Sequence, residues 1–353
     1  MKTFKSGFVL VTTLWVLAML TMAAGFISLW TQRSLAIAQA RQEDIQGEID
    51  SHSTQANVIY LLTSQRMTIA GLTVPDITKP ELTEEQVINA FEEETVLPVG
   101  AEITLDDRPY FGHGKAYFAL QDEAGLFNPM LATEPALDRL LGLLGVEAEL
   151  RGPLIAKLQD YMDLDDWHRL HGAESAHYNK RNLPPPTNHF LRTPLEVKSV
   201  LDWAAQPQLW QNNLFGQLTT LFSVSPNFNT APLLVLQAAY NMTAESAERL
   251  INLRQTTPFL TLSSVTQIAN VNLEVDPFEV KFFPSSFLRL TLWYAGARRI
   301  RQVHIELTPA AHNDKPWQIK SSLELGLSST YTEQPPRYVQ ATFFTSALST
   351  ESP

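Results

Sequence analysis

Met1–Trp30 reads MKTFKSG FVLVTTLWVLAMLTMAAGFISLW, a short head carrying Lys2 and Lys5 that ends on Gly7, then 23 residues, Phe8–Trp30, without a charged side chain. That run can cross a bilayer as a helix, because about 20 apolar residues rising about 1.5 Å each span the hydrocarbon core. A cleaved secretory signal would close its apolar core after about 7–15 residues on a small-residue cut site. Met22-Ala23-Ala24 is a poor version of such a site, and the run continues to Trp30. An ordinary single-span anchor is the other plain reading. The two lysines keep the head cytoplasmic and put everything after Trp30 on the far side.

The helical pattern does not stop at Trp30. No proline occurs before Pro75, and Leu35, Ala38, Ile45, Ile49, Val58, Ile59 and Leu62 recur at roughly helical spacing among Gln, Ala, Arg and Glu. One long helix over 8–71, membrane-spanning over 8–30, is expected. With its basic leader ending in glycine and this long helix, the chain resembles the type IV pilin and pseudopilin superfamily. The resemblance implies that a prepilin peptidase cuts after Gly7 and methylates Phe8, the new N-terminus. Most members of the superfamily carry glutamate at the fifth position after the cut, where this chain has Thr12. A carboxylate in lipid is tolerable only when paired, and the family's glutamate meets the amine of the subunit ahead. Its loss fits a subunit with none ahead of it, at the filament tip.

The rest of the chain divides unevenly. Residues 72–98 hold three prolines and an acidic run and read as a loop around one short helix. Residues 101–120 read as short strands interrupted at Asp106-Asp107 and Gly112-His113-Gly114. A mainly helical block follows from about Pro135 to Pro277. Phe287–Leu307 then reads as a hairpin turning at Ala295-Gly296, with candidate strands at Trp317–Leu327 and Arg337–Ser346. The sheet is split by a helical insertion, so the expected class is α+β.

Four segments make the reading specific: Asp122-Glu123-Ala124-Gly125-Leu126-Phe127-Asn128, the acidic stretch Leu158–Tyr178 with its Gly172-Ala173-Glu174, Asn227-Phe228-Asn229-Thr230-Ala231-Pro232, and Ser285-Ser286-Phe287-Leu288-Arg289-Leu290. They are similar to those of the minor pseudopilin K family of type II secretion systems. That family departs from this chain at Ser175 and before Pro194. The resemblance implies a pseudopilin fold: leader 1–7, long helix 8–71, first strands within 72–128, inserted helical domain 129–283, and returning strands 284–353. It also implies an inner-membrane protein with its bulk in the periplasm, at the pseudopilus tip, nucleating assembly for export of folded proteins across the outer membrane. Its partners would be other minor pseudopilins, the major pseudopilin, the prepilin peptidase and inner-membrane secretion components.

Asp160, Asp163, Asp165, Asp166 and Glu174 crowd like charges into one stretch, which must be solvated or bridged by a cation. Calcium takes six to eight oxygens, and Asp-x-Asp can present two carboxylates together. Spacing alone favours a solvated helix end over a cation site. The resemblance implies structural calcium at Asp163, Asp165 and Glu174, with Asp160 as a further ligand. His168 and His171 with Glu174 could sketch a zinc site, but no HExxH occurs.

Composition excludes other classes. The chain has no cysteine, so neither a disulfide nor a thiol nucleophile is available. Walker, GxSxG and GxGxxG signatures do not occur, and an enzyme is not expected. Asp165 and Glu174 as glycosidase carboxylates, in a membrane-anchored periplasmic hydrolase, are the alternative. A net charge of −11 argues against a nucleic-acid partner. The helical hairpins of 229–271, with Leu233, Leu236, Ala239, Leu250 and Leu253 assigned to buried faces, would suit a DNA-uptake pilin only if Arg249 and Arg254 reached phosphates.

Overall fold

The computed structural model describes residues 7–74, 97–223, 225–269, 273, 280–308, 315–339 and 344. It divides into two compact units, Met1–Ile49 and Asp50–Pro353. Helix α1 (Gly7–Ser64) begins in the first and ends in the second. In the first unit, residues 9–46 are exposed, and among the described residues this helix is the one long and apolar enough to cross a membrane.

In the second unit the same helix buries Val58, Leu61 and Leu62 together with the polar Asp50 and Thr54. The polar pair has a task. Asp50 Oδ2 accepts from Lys115 N at 2.9 Å, and Thr54 Oγ1 accepts from His113 N at 2.8 Å. A Cβ on Gly114, whose φ is 57°, would lie 2.3 Å from Asp50 Oδ2, so the Gly-His-Gly interruption is what lets this turn seat on the helix.

The helix stops at Ser64 rather than at Gly71. Strand β1 (Met67–Thr68) pairs with β2 (Gly71–Thr73), which pairs with β3 (Glu102–Ile103), all antiparallel. Gly71 has φ 142°, and a Cβ there would lie 2.1 Å from Ile103 O. The reversal is thus set by ladder partners and one close approach, with no proline to announce it. Of the loop and short helix expected over 72–98, residues 75–96 lie outside the described residues.

Strands β4 (Asp106–Phe111), β5 (Ala116–Asp122), β6 (Phe287–Tyr294), β7 (Arg299–Leu307) and β8 (Trp317–Gly326) form one antiparallel sheet in that order. The hairpin turning at Gly296 and the strand after it are as expected. Of the candidate strand Arg337–Ser346, Arg337 makes an isolated bridge to Tyr110, and most of its remainder lies outside the described residues. Side chains alternate across the sheet. Phe118, Leu120, Leu288, Leu290 and Leu292 join Val58 and Leu61 in one core, while Gln121, Arg289 and Thr291 are buried on the opposite face.

Neighbouring strands β5 and β6 pair from Ala116↔Tyr294 to Asp122↔Leu288 although residues 123–286 intervene. The sheet is therefore left directly after Asp122 and rejoined at Phe287, a few residues outside the expected boundaries of 129 and 283. The inserted segment contains α2 (Glu134–Leu143), α3 (Ala148–Met162), α4 (Ser175–Asn179), α5 (Leu233–Tyr240), α6 (Ala244–Arg254) and α7 (Leu262–Ala269). They surround their own core, which includes Leu140, Leu158, Tyr178, Trp203, Phe228 and Leu250. Leu236 and Leu250 are buried as assigned, Leu233 and Ala239 pack half-buried against the same core beside the fully buried Val235 and Ala238, and Leu253 is 40% exposed.

One carboxylate ties the two ends of the insertion together. Asp122 is fully buried and accepts five hydrogen bonds, from Ala124 N, Ser285 N and Ser285 Oγ on Oδ1 and from Asn227 Nδ2 and Thr230 Oγ1 on Oδ2, at 2.7–3.0 Å. Three of the four sequence segments singled out above meet at this one side chain. Beside it Glu123 Oε1 pairs with His304 Nδ1 at 2.6 Å, and Glu123 Oε2 accepts from Thr220 Oγ1 at 2.7 Å. A Cβ on Gly125 would lie 2.5 Å from Thr230 Oγ1, so the backbone there can come this close only as glycine.

Candidate metal centre in the acidic loop

Helix α3 delivers two of the acidic residues. Asp160, in its last turn, is fully buried, and Asp163 follows its end. The chain then loops back over Asp160. Arg169 N donates to Asp160 Oδ2 at 3.1 Å, and a Cβ on Gly172 would lie 1.9 Å from the same oxygen. Arg169 also bridges the carboxylates, its Nη1 donating to Asp160 Oδ1 at 2.7 Å and to Asp163 Oδ2.

Glu174 precedes α4 and is only 5% exposed, yet neither of its carboxylate oxygens has a hydrogen-bond partner among the described residues. Asp163 Oδ1 is in the same state. Burial pushes the Glu174 carboxyl up to about 7 from an ordinary value near 4.5, with the charges of Asp160, Asp163, Asp166 and Asp165 adding to the rise. A group that holds its proton more tightly folded than unfolded adds stability below pH 4.5 and loses it as pH climbs to 7. In chelator, the thermal midpoint is therefore expected to fall across that window by an amount worth about 1 kcal/mol, tempered by solvent at the loop. Glu174→Gln keeps the shape without the charge and should flatten the slope. Identical pH profiles for the two proteins would contradict this reading.

The structure brings Asp160 and Asp163 together through Arg169 and sets Glu174 in their field. Asp165 stays exposed, its Oδ1 accepting from Trp167 N at 2.8 Å, and Asp166 is exposed as well. Among the described residues, no three His, Asp or Glu side chains are gathered as a metal-holding set. What fits a cation is narrower: three buried carboxylate oxygens without donors, all hard ligands of the kind calcium takes. Zinc fits less well, because His168 and His171 are exposed whereas Glu174 is buried, and His168 packs edgewise on His177. Arg169 escaped the sequence reading, and Gly172 entered it only as part of a similar segment, without its contact to Asp160. The signal was a cation and a glycine inside an acidic run.

The alternative chemistries find little support. A cleft of about 250 Å³ is lined by Leu105, Asp106, Arg108 and Arg254 among others, and none of its lining comes from the acidic loop. Arg254 is buried and donates through Nη1 to Phe228 O and Ala231 O, so it serves packing rather than phosphates. Arg249 lies 3.6 Å from Glu245 and donates to Ser246 Oγ.

Residues 119–210, from strand β5 through the acidic loop, match the family model for type II secretion system protein K. No curated protein matches the chain. Among solved structures, the crystal structure of the GspK-GspI-GspJ complex from the enterotoxigenic Escherichia coli type 2 secretion system aligns with 15% identity and a TM-score of 0.46, covering 82% of this chain and 99% of that one. The segment 119–210, which holds the acidic loop, is thus similar to type II secretion system protein K.

Proposed function

We propose that the chain is the tip subunit of a periplasmic pseudopilus, held in the inner membrane by residues 8–30 and nucleating assembly with other minor pseudopilins and the major pseudopilin. Before assembly the prepilin peptidase removes the leader after Gly7 and methylates Phe8, and inner-membrane secretion components extend the filament from its base. The observation that carries this reading is the join of one membrane-length helix to an α+β body containing the matched protein K segment. Deleting the gene should leave folded secreted proteins trapped in the periplasm, with export restored by the intact chain. Normal export in the deletion strain would overturn it.

The tip position rests on Thr12. Its hydroxyl donates to Val9 O at 2.9 Å, satisfied within its own helix, whereas a glutamate there would need a cation from another subunit. Thr12→Glu is expected not to improve assembly and to reduce membrane incorporation, since an unpaired carboxylate inside a span is costly even this close to its end. Stronger incorporation of the variant along the filament shaft, followed by crosslinking, would remove the tip argument.

The acidic loop is proposed to hold a structural calcium ion, with Asp163, Glu174 and Asp160 as ligands and Asp165 reaching it only if the loop rearranges. A bound cation would offset the burial, and the neighbouring charges, that now raise Glu174, and would supply the cross-link that a cysteine-free periplasmic chain lacks. Calcium should raise the thermal midpoint of the detergent-solubilised protein by mass action, and Asp163→Ala or Glu174→Ala should remove most of that rise. His168→Ala should leave it intact. A parent protein whose midpoint ignores calcium and chelator would dismiss the metal and leave the fold as described.

A further inference from the structure

Arg169 occupies the place a bound cation would claim. Its Nη1 donates to both Asp160 and Asp163, and its main-chain N donates to Asp160 as well, so one residue carries the charge balance of the buried carboxylate and anchors the loop over it. The Arg169 side chain is nevertheless 45% exposed, so water is available to it when it leaves. Glu174, with both oxygens lacking donors among the described residues, receives nothing from Arg169.

A calcium ion taking oxygens from Asp160 and Asp163 would sit against a positive guanidinium bound to those same carboxylates. Two such charges a few ångströms apart repel strongly in a partly buried site, so the guanidinium weakens the hold of these carboxylates on the ion. Resting on the calcium reading above, we propose that Arg169 is a resident counter-ion that competes with calcium for Asp160 and Asp163, so that loading the loop exchanges one positive group for the other. In the metal-free protein Arg169 keeps Asp160 from being an unpaired buried charge. On loading it swings into solvent, and the ion takes up the orphaned oxygens that the guanidinium cannot reach. The exchange acts on the segment displaying Leu164, Trp167 and Leu170, which are 82%, 85% and 84% exposed.

The test compares the full-length wild-type chain, Arg169→Gln and Arg169→Lys in detergent by calcium titration calorimetry and thermal unfolding. Arg169→Gln should bind calcium about tenfold more tightly than wild type, because the competitor is gone, while its metal-free midpoint falls. Arg169→Lys should stay near wild type, since an ammonium still competes. Should the glutamine variant not fold without metal, the wild-type protein suffices: calcium should speed modification of Arg169 by phenylglyoxal, read by peptide mass spectrometry. Calcium binding in wild type with equal or weaker binding in Arg169→Gln, or unchanged Arg169 reactivity on loading, would overturn the exchange and leave the calcium site standing. Lack of calcium binding by all three proteins would instead dismiss the calcium reading, and the exchange with it.

Discussion

Asp122→Ala is expected to lower the unfolding free energy of the Asp50–Pro353 unit by about 3–5 kcal/mol, because it removes a buried charged acceptor and leaves its donors without one. Those donors come from the start of the insertion (Ala124), its middle (Asn227 and Thr230) and the point where the sheet resumes (Ser285). The carboxylate costs something to bury, and burial pushes its pKa up against the donors that favour the charged form. Asp122→Asn retains one acceptor and turns the other into a donor facing donors, so a loss of about 2 kcal/mol is expected. Denaturant unfolding should show more than the size of the effect. Trp203 lies in the insertion and Trp293 in the sheet, so loosening the junction should separate transitions that coincide in the parent. A loss below about 1 kcal/mol with coincident transitions would mean that the strand pairing of β5 with β6 holds the insertion unaided.

Gly7→Leu is expected to abolish leader removal and, with it, incorporation into the pseudopilus and export of folded cargo. A peptidase cutting beside Gly7 must fit the backbone in an extended form, where the absence of Cβ lets the enzyme approach closely. A leucine side chain would stand at that approach. The variant should insert in the membrane with its apolar run unchanged and keep the full leader, so its mass identifies the block directly. Full maturation of Gly7→Leu would contradict the pilin-type processing of this chain.

Much of the architecture was readable because it follows from periodicity. The charge-free run of residues 8–30 and the alternation of Phe287–Leu307 each report one face of one element, and the split sheet follows from the helical block between two strand-like stretches. What escaped depends on partners distant in sequence. Nothing between Ser64 and Gly71 breaks a helix, and only the ladder to Glu102–Ile103 shows why it ends there. On α5 the assigned residues Leu233 and Ala239 do pack half-buried on the core, but Val235 and Ala238, buried beside them, were missed. In the acidic loop, spacing counts carboxylates without weighing their burial, so Asp165 stood equal to Glu174 although one is exposed and the other is buried without a hydrogen-bond partner among the described residues. Asp122 carried no sequence signal of its role beyond its place in a recognisable segment, because its donors are 2 to 163 residues away.

Intact-mass and N-terminal peptide analysis of the protein extracted from the membrane of its own cells tests the central claim, that this chain is processed and assembled as a pseudopilin. The account predicts a chain beginning at Phe8, with a methyl group on its amine and the apolar run intact behind it. A mature protein that still begins at Met1, or one cut beyond Trp30, would contradict it.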